Sequence, residues 1–177
     1  MSKQIGEDHI MAKAASKSWR DVLPIHPAAE MFPRMSKNEL LALGEDIKRH
    51  GLREGIALYN DVLLDGINRL DAMEAVGTNL ITGNGEINWA LLSPLDVRNI
   101  DPYEYVVSAN LHRRHLTTEQ KRELVEKLVK ATPEKSDRQI AETTKTSPTT
   151  VGKVRKVILL WADFRFCAIA DLHGSAC

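Results

Sequence analysis

LLDGINRLDA, residues 63–72, runs a strand-like pair of leucines into Asp65-Gly66 and then directly into helical spacing with Arg69 in its first turn. An acid, a glycine and a basic side chain at a strand-to-helix corner have a chemical use. The first backbone N–H groups of a helix lack intrahelical acceptors, and a glycine there removes the side chain that would hold an anion away. Asn68 can donate a hydrogen bond and Arg69 supplies a fixed charge, so the corner is a candidate phosphate seat. The same residues also read as an ordinary helix start, with Asp65 capping the free N–H groups and Arg69 exposed.

Upstream of this corner, GIALYNDVLLDG predicts two short strands around an Asn60-Asp61 turn. Before it, SKNELLALGEDIKRHG reads as a helix: Ser36 and Glu39 form a capping box, Leu40, Leu41, Leu43 and Ile47 share one side, and Gly51 ends it. The three prolines of VLPIHPAAEMFPRMS exclude a helix and suggest an extended segment with a turn. Downstream, INRLDAMEAVG continues as a helix stopped by Gly77, GEINWALLS is a strand candidate, and DPYEYVVSAN starts a helix with Asp101 and Pro102. Mixed short strands and helices make the front half α+β.

After Asn110 the pattern is helical throughout. Thr117 and Gln120 cap a helix with Leu124, Val125, Leu128 and Val129 as its apolar stripe. Beyond Pro133, Ser136 and Gln139 cap a short helix, a polar turn TKTS follows, and Ser147-Pro148 opens another, which is the helix-turn-helix pattern. Ile140 and Ala141 are expected to face Val151, Val154 and Val157 or Ile158. The opposite face of the second helix then carries Thr149, Thr150, Lys153, Arg155 and Lys156 as candidate DNA-binding residues. A plain helical hairpin with solvated lysines is the alternative.

Zero net charge conceals an asymmetry that favours the back half as a polyanion binder. Residues 111–160 hold 12 Lys and Arg against 6 Asp and Glu, whereas residues 1–110 hold 11 against 16. SANLHRRHL, 108–116, concentrates Asn110, His112, Arg113, Arg114 and His115 between two helices, suiting either an anionic partner or a solvated junction. The sequence shows no Ser/His/Asp order and no Walker loop, so hydrolase classes built on those are unsupported. Apolar runs are too short for a membrane span and the first residues lack an apolar signal core, which leads to the expectation of a cytoplasmic protein. Cys167 and Cys177 have neither metal-ligand nor redox spacing. The divisions expected are a loose arm at 1–20, a mixed domain at 21–115, a helical domain at 116–160 and an apolar tail at 161–177. Leu160, Trp161, Phe164, Phe166 and Ile169 of LLWADFRFCAIADL must be covered, by the helical part or by a second copy in a homodimer.

Taken in order from about Leu23 to Ile158, IHPAAEMFPRMS, LLALGEDIKRHGLREGIALYNDVLLDGINRLDAMEAVG, VVSANLHRRHLTTEQKRELV and SDRQIAETTKTSPTTVGKVRKVI resemble the ParB N-terminal domain of the ParB/sulfiredoxin superfamily with its helix-turn-helix. The resemblance implies a small mixed sheet with helices, a nucleotide site and DNA binding. Members include partition proteins that use CTP as a switch, small-molecule kinases, sulfiredoxins, and plasmid or phage proteins described as nucleases or ATPases. The partition proteins' phosphate box, Gly-Glu-Arg-Arg-x-Arg, falls on Gly66 to Asp71, where Gly66 and Arg69 match. The sulfiredoxin reactive cysteine falls on Ile67, so that chemistry has no nucleophile here. The second box, Glu-Asn-x-x-Arg, falls on Ala109 to Arg113, with Ala109 in place of the acid that supports magnesium.

The resemblance thus implies a nucleotide site of Gly66, Asn68, Arg69, Asn110, Arg113 and Arg114, with ATP favoured over CTP because arginines are missing. Asp65 or Glu54 would bind Mg or position a water, Asp65 being the metal candidate, in a slow ATPase. The expected role is partition, regulation or inhibition of another element's transfer, in a plasmid, phage or integrated element. A DNA-cutting ATPase and a non-catalytic DNA-binding module are the alternatives. A partition protein's separate dimerisation domain has no counterpart after Ile158, so a full partition clamp is not expected.

Overall fold

The computed structural model describes residues 17–111 and 116–172, with only the backbone given from 162 onward. Among the described residues the fold is α+β, with six α-helices and one small three-stranded mixed sheet. The helices are α1 (Lys37–His50), α2 (Ile67–Ala75), α3 (Pro102–Leu111), α4 (Thr118–Ala131), α5 (Asp137–Thr144) and α6 (Pro148–Leu172). The strands are β1 (Ala57–Tyr59), β2 (Val62–Asp65) and β3 (Leu95–Asp96). They lie in the order β2-β1-β3, β1 antiparallel to β2 and parallel to β3.

Asn60 and Asp61 both take positive φ, 50° and 62°, so the hairpin closes through a turn whose twist matches its strands. A bulge between Ala57 and Leu58 shifts the register, leaving Asp65 opposite Ala57. Successive residues of a strand face opposite sides, and here that alternation divides the core in two. Leu63 is fully buried with Ile56, Ile67, Leu70 and Met73, on the side of α1 and α2. Leu64 is fully buried with Phe32, Val106, Leu124, Leu128, Ile140 and Val154, on the side of α3 and the helical part. The helical part is therefore built on the sheet and shares its core, across the division expected at residue 116.

The capping boxes of Ser36, Thr117 and Ser136 all form, each with the acceptor three residues on reaching back. α1 and α2 pack so closely at Gly44 that a Cβ there would lie 2.3 Å from the Ala72 carbonyl oxygen. Four expectations change. GEINWALLS is not a strand: Trp89–Leu91 forms a 3-10 turn, Ile81 and Ile87 share an isolated bridge, and the third strand lies later, at Leu95–Asp96. The proline-rich segment contains a 3-10 turn, Pro27–Glu30, because Pro27 at its first position lacks only an N–H that would be unsatisfied anyway. Residues 17–20 do not belong to a loose arm. Trp19 is fully buried, Ser18 and Trp19 donate to Glu74, and Arg20 and the Trp19 indole both bond Asp71. Residues 1–16 lie outside the described residues. The backbone also carries α6 past 161 without interruption, so that boundary separates no element. Among the described residues, no helix is long and apolar enough to cross a membrane.

Candidate functional site

β2 delivers Asp65 to the corner and α2 begins one residue after Gly66. Gly66 sits at φ 121° and ψ 5°, where an L side chain is strained, and a Cβ would come within 2.6 Å of Ile56 Cγ2. No side chain caps α2, so Asp65 does not take the capping role open to it in the sequence. Instead Asp65 accepts from Arg69 at 2.9 Å and from the Asn110 amide at 3.3 Å, one carboxylate oxygen for each. Asn110 also donates to the Val106 carbonyl at 3.0 Å. The Asp65 and Arg69 side chains are each 17% exposed, and the Arg69 Nε–H is buried with no hydrogen-bond partner among the described residues.

These groups frame a small cleft of about 60 Å³ lined by Arg34, Asp65, Gly66, Asn68, Arg69 and Asn110, with Phe32 and Val106 among its apolar walls. Five of the residues expected from sequence thus meet: Asp65, Gly66, Asn68, Arg69 and Asn110. Asn68 accepts the Met35 N–H at 3.4 Å, which draws the 31–36 segment to the corner. That brings in Arg34, which sequence reasoning did not assign. The one local sign is a basic residue two positions ahead of the Ser36 cap. Arg34 is held by Glu30 at 2.9 Å and by Asp71 at 3.6 Å. Glu54 does not join the site: it is exposed in the bend before β1 and does not line the cleft. Arg113 and Arg114 lie outside the described residues.

The lining suits an anion. Two guanidinium groups, an uncapped helix start and a buried Arg69 donor favour a phosphoryl group. Asp65 is the one carboxylate among the described lining residues, and its two oxygens accept from Arg69 and Asn110. Among the described residues no group of three His, Cys, Asp or Glu side chains is placed to hold a metal. A volume of about 60 Å³ is far below the roughly 300–1,000 Å³ of sites that enclose a small molecule. It accommodates a phosphate, with the rest of any ligand outside.

On the helical part, α5 and α6 meet through Ile140, Ala141, Val151 and Val154 over α4. Thr144 still belongs to α5 and is buried, its hydroxyl donating to the Ile140 carbonyl at 2.7 Å, so the turn is shorter than expected. Lys145 in the left-handed conformation makes that turn, and the Ser147 hydroxyl accepts the Thr150 N–H at 3.2 Å to start α6. Ile158 packs on the core and Val157 is exposed, resolving which of them faces inward. Thr149, Thr150, Lys153 and Lys156 are exposed on α6. Arg155 does not join them. Its Nε donates to Asp137 at 2.7 Å and its terminal nitrogens to the Pro133 and Lys135 carbonyls at 3.2 and 2.7 Å, fastening α6 to the start of α5. Three of its five N–H donors are engaged within the protein, which gives Arg155 a structural role.

Comparisons with family models, curated proteins and solved structures return no match for this chain.

Proposed function

We propose that the protein binds DNA through the first three turns of α6 and holds a phosphate-bearing ligand at the Gly66 corner. The observation that carries the DNA reading is the α4–α5–α6 arrangement, which keeps Thr149, Thr150, Lys153 and Lys156 exposed on a helix whose other face is anchored in the core. Hydroxyls at the helix start can reach base edges or phosphates, and the two lysines neutralise phosphates. The likeness to the ParB domain supports a nucleoside triphosphate, ATP before CTP, as the ligand at the corner. Arg69 and Arg34 would flank its phosphate and Asn68 would orient it. In a slow magnesium-dependent ATPase, Asp65 would be the carboxylate of the site and the ligand's phosphates would supply further oxygens. A DNA-cutting ATPase and a non-catalytic DNA-binding module are the alternative readings.

Two measurements test these assignments. Titrating a labelled duplex at several salt concentrations should give a log–log affinity slope smaller by about 2 in the Lys153→Ala/Lys156→Ala protein, one counterion for each lost phosphate contact. Identical slopes and affinities would remove α6 from the DNA interface. Calorimetry with ATP, CTP and inorganic phosphate should show Arg69→Ala weakening binding by roughly tenfold or more, the loss of a charge-assisted contact. Unchanged affinity in a folded Arg69→Ala protein would sink the phosphate placement.

A further inference from the structure

His26 joins two elements that contribute to the cleft lining, the Pro27–Glu30 turn and α3. Its Nδ1 accepts the Ala28 N–H at 3.1 Å and so caps the Pro27–Glu30 turn. Its ring packs edge-on against Tyr59 of β1, centroids 5.8 Å apart, and against Tyr103 of α3, 5.9 Å apart. The turn supplies Ala29 to the cleft and leads into Phe32, Pro33 and Arg34, while α3 supplies Val106 and Asn110. An accepting Nδ1 requires a neutral imidazole with its proton on Nε2.

We propose that His26 is an acid-sensitive latch on the cleft: protonation turns Nδ1 from an acceptor into a donor facing the Ala28 N–H, releasing the start of the turn that carries Ala29 and Arg34. The proposal does not depend on which ligand the cleft takes. Among the described residues, the groups acting on the ring are Asp101 just ahead of α3 and the phenols of Tyr59 and Tyr103. Lys135, between α4 and α5, binds Asp101 at 3.2 Å and Glu104 at 2.9 Å, so the acid acting on His26 already has a cationic partner. Burial disfavours the imidazolium and outweighs the attraction of Asp101, holding His26 below its ordinary value of 6.5. For a base lowered by folding, the neutral form's contribution is complete above 6.5 and is lost as pH falls below it toward the folded value.

Amide exchange at Ala28 in the full chain, corrected for intrinsic rates, reads the latch directly. Between about pH 7.5 and about pH 5, wild-type protection should fall roughly tenfold, the order expected for losing one buried hydrogen bond. His26→Asn keeps a side-chain acceptor that does not titrate and should show no such step, while His26→Ala should be weakly protected at both pH values. An acid step of equal size in wild type and His26→Asn would overturn the proposal. Should His26→Asn fail to fold, a wild-type NMR titration decides instead. Protonation of His26 with an unchanged Ala28 amide overturns the latch, and coincident transitions support it.

Discussion

Replacing Gly66 with alanine is expected to cost about 2–4 kcal/mol of stability, measured by denaturant unfolding. Two causes act together. A φ of 121° is unfavourable for any L side chain, and the added Cβ would lie 2.6 Å from Cγ2 and 3.0 Å from Cβ of the fully buried Ile56. A double-mutant cycle separates them. Ile56→Ala removes the Cγ2 contact, so the two substitutions should be less than additive, leaving a remainder from the backbone and from the Cβ that alanine retains. Strict additivity would show that Ile56 yields freely and that strain at the corner is the whole effect. The result also bears on function, because a glycine demanded by packing would be kept here even without an anion to admit.

Truncating Leu128 to alanine should destabilise by about 2–5 kcal/mol, and in both halves of the molecule at once. Leu128 is buried in α4, yet its cluster includes Leu64 of β2, Phe32 of the cleft wall and Val106 of α3. Polar ties run the same way. The Lys127 ammonium donates to the Glu30 and Met31 carbonyls, and Lys135 bridges to Asp101 and Glu104. Trp19 is buried in the other core, beyond the sheet, and serves as a reporter once Trp89 and Trp161 are changed to phenylalanine in the test background. Its fluorescence transition should shift together with the loss of helical circular dichroism. A Trp19 transition that stays in place while the helical signal shifts would mean two independently folding units and restore the division at 116.

The same contrast explains which parts of the site could be read from the chain. Asp65, Gly66, Asn68 and Arg69 lie within five consecutive residues, and the strand-to-helix corner is a local event. Their convergence was therefore legible. Asn110 was reached through the resemblance of its motif, and the structure brings it to Asp65 across 45 positions. Arg34 was missed because its place depends on the Asn68 bond to Met35, a long-range contact with no local signature. Glu54 lies outside the cleft lining for the converse reason: a carboxylate in a suggestive stretch carries no information about which way the chain turns. Arg155 shows the same limit on a helix, since spacing placed it among basic neighbours while Asp137 and two carbonyls had already engaged it.

Sequence by itself determined the elements: three capping boxes, the Asn60-Asp61 turn, the helix starts at Asp101 and Ser147, and the α5–turn–α6 unit. Each rests on residues two to four positions apart, where backbone geometry leaves few choices. Only the tertiary structure decided that adjacent Leu63 and Leu64 serve different cores, that the helical part is built onto the sheet, and which arginines meet at the cleft and which are consumed in holding helices together. Burial and pairing between distant segments are settled by competition among all the surfaces that the folded chain brings within reach, and no local pattern encodes the outcome of that competition.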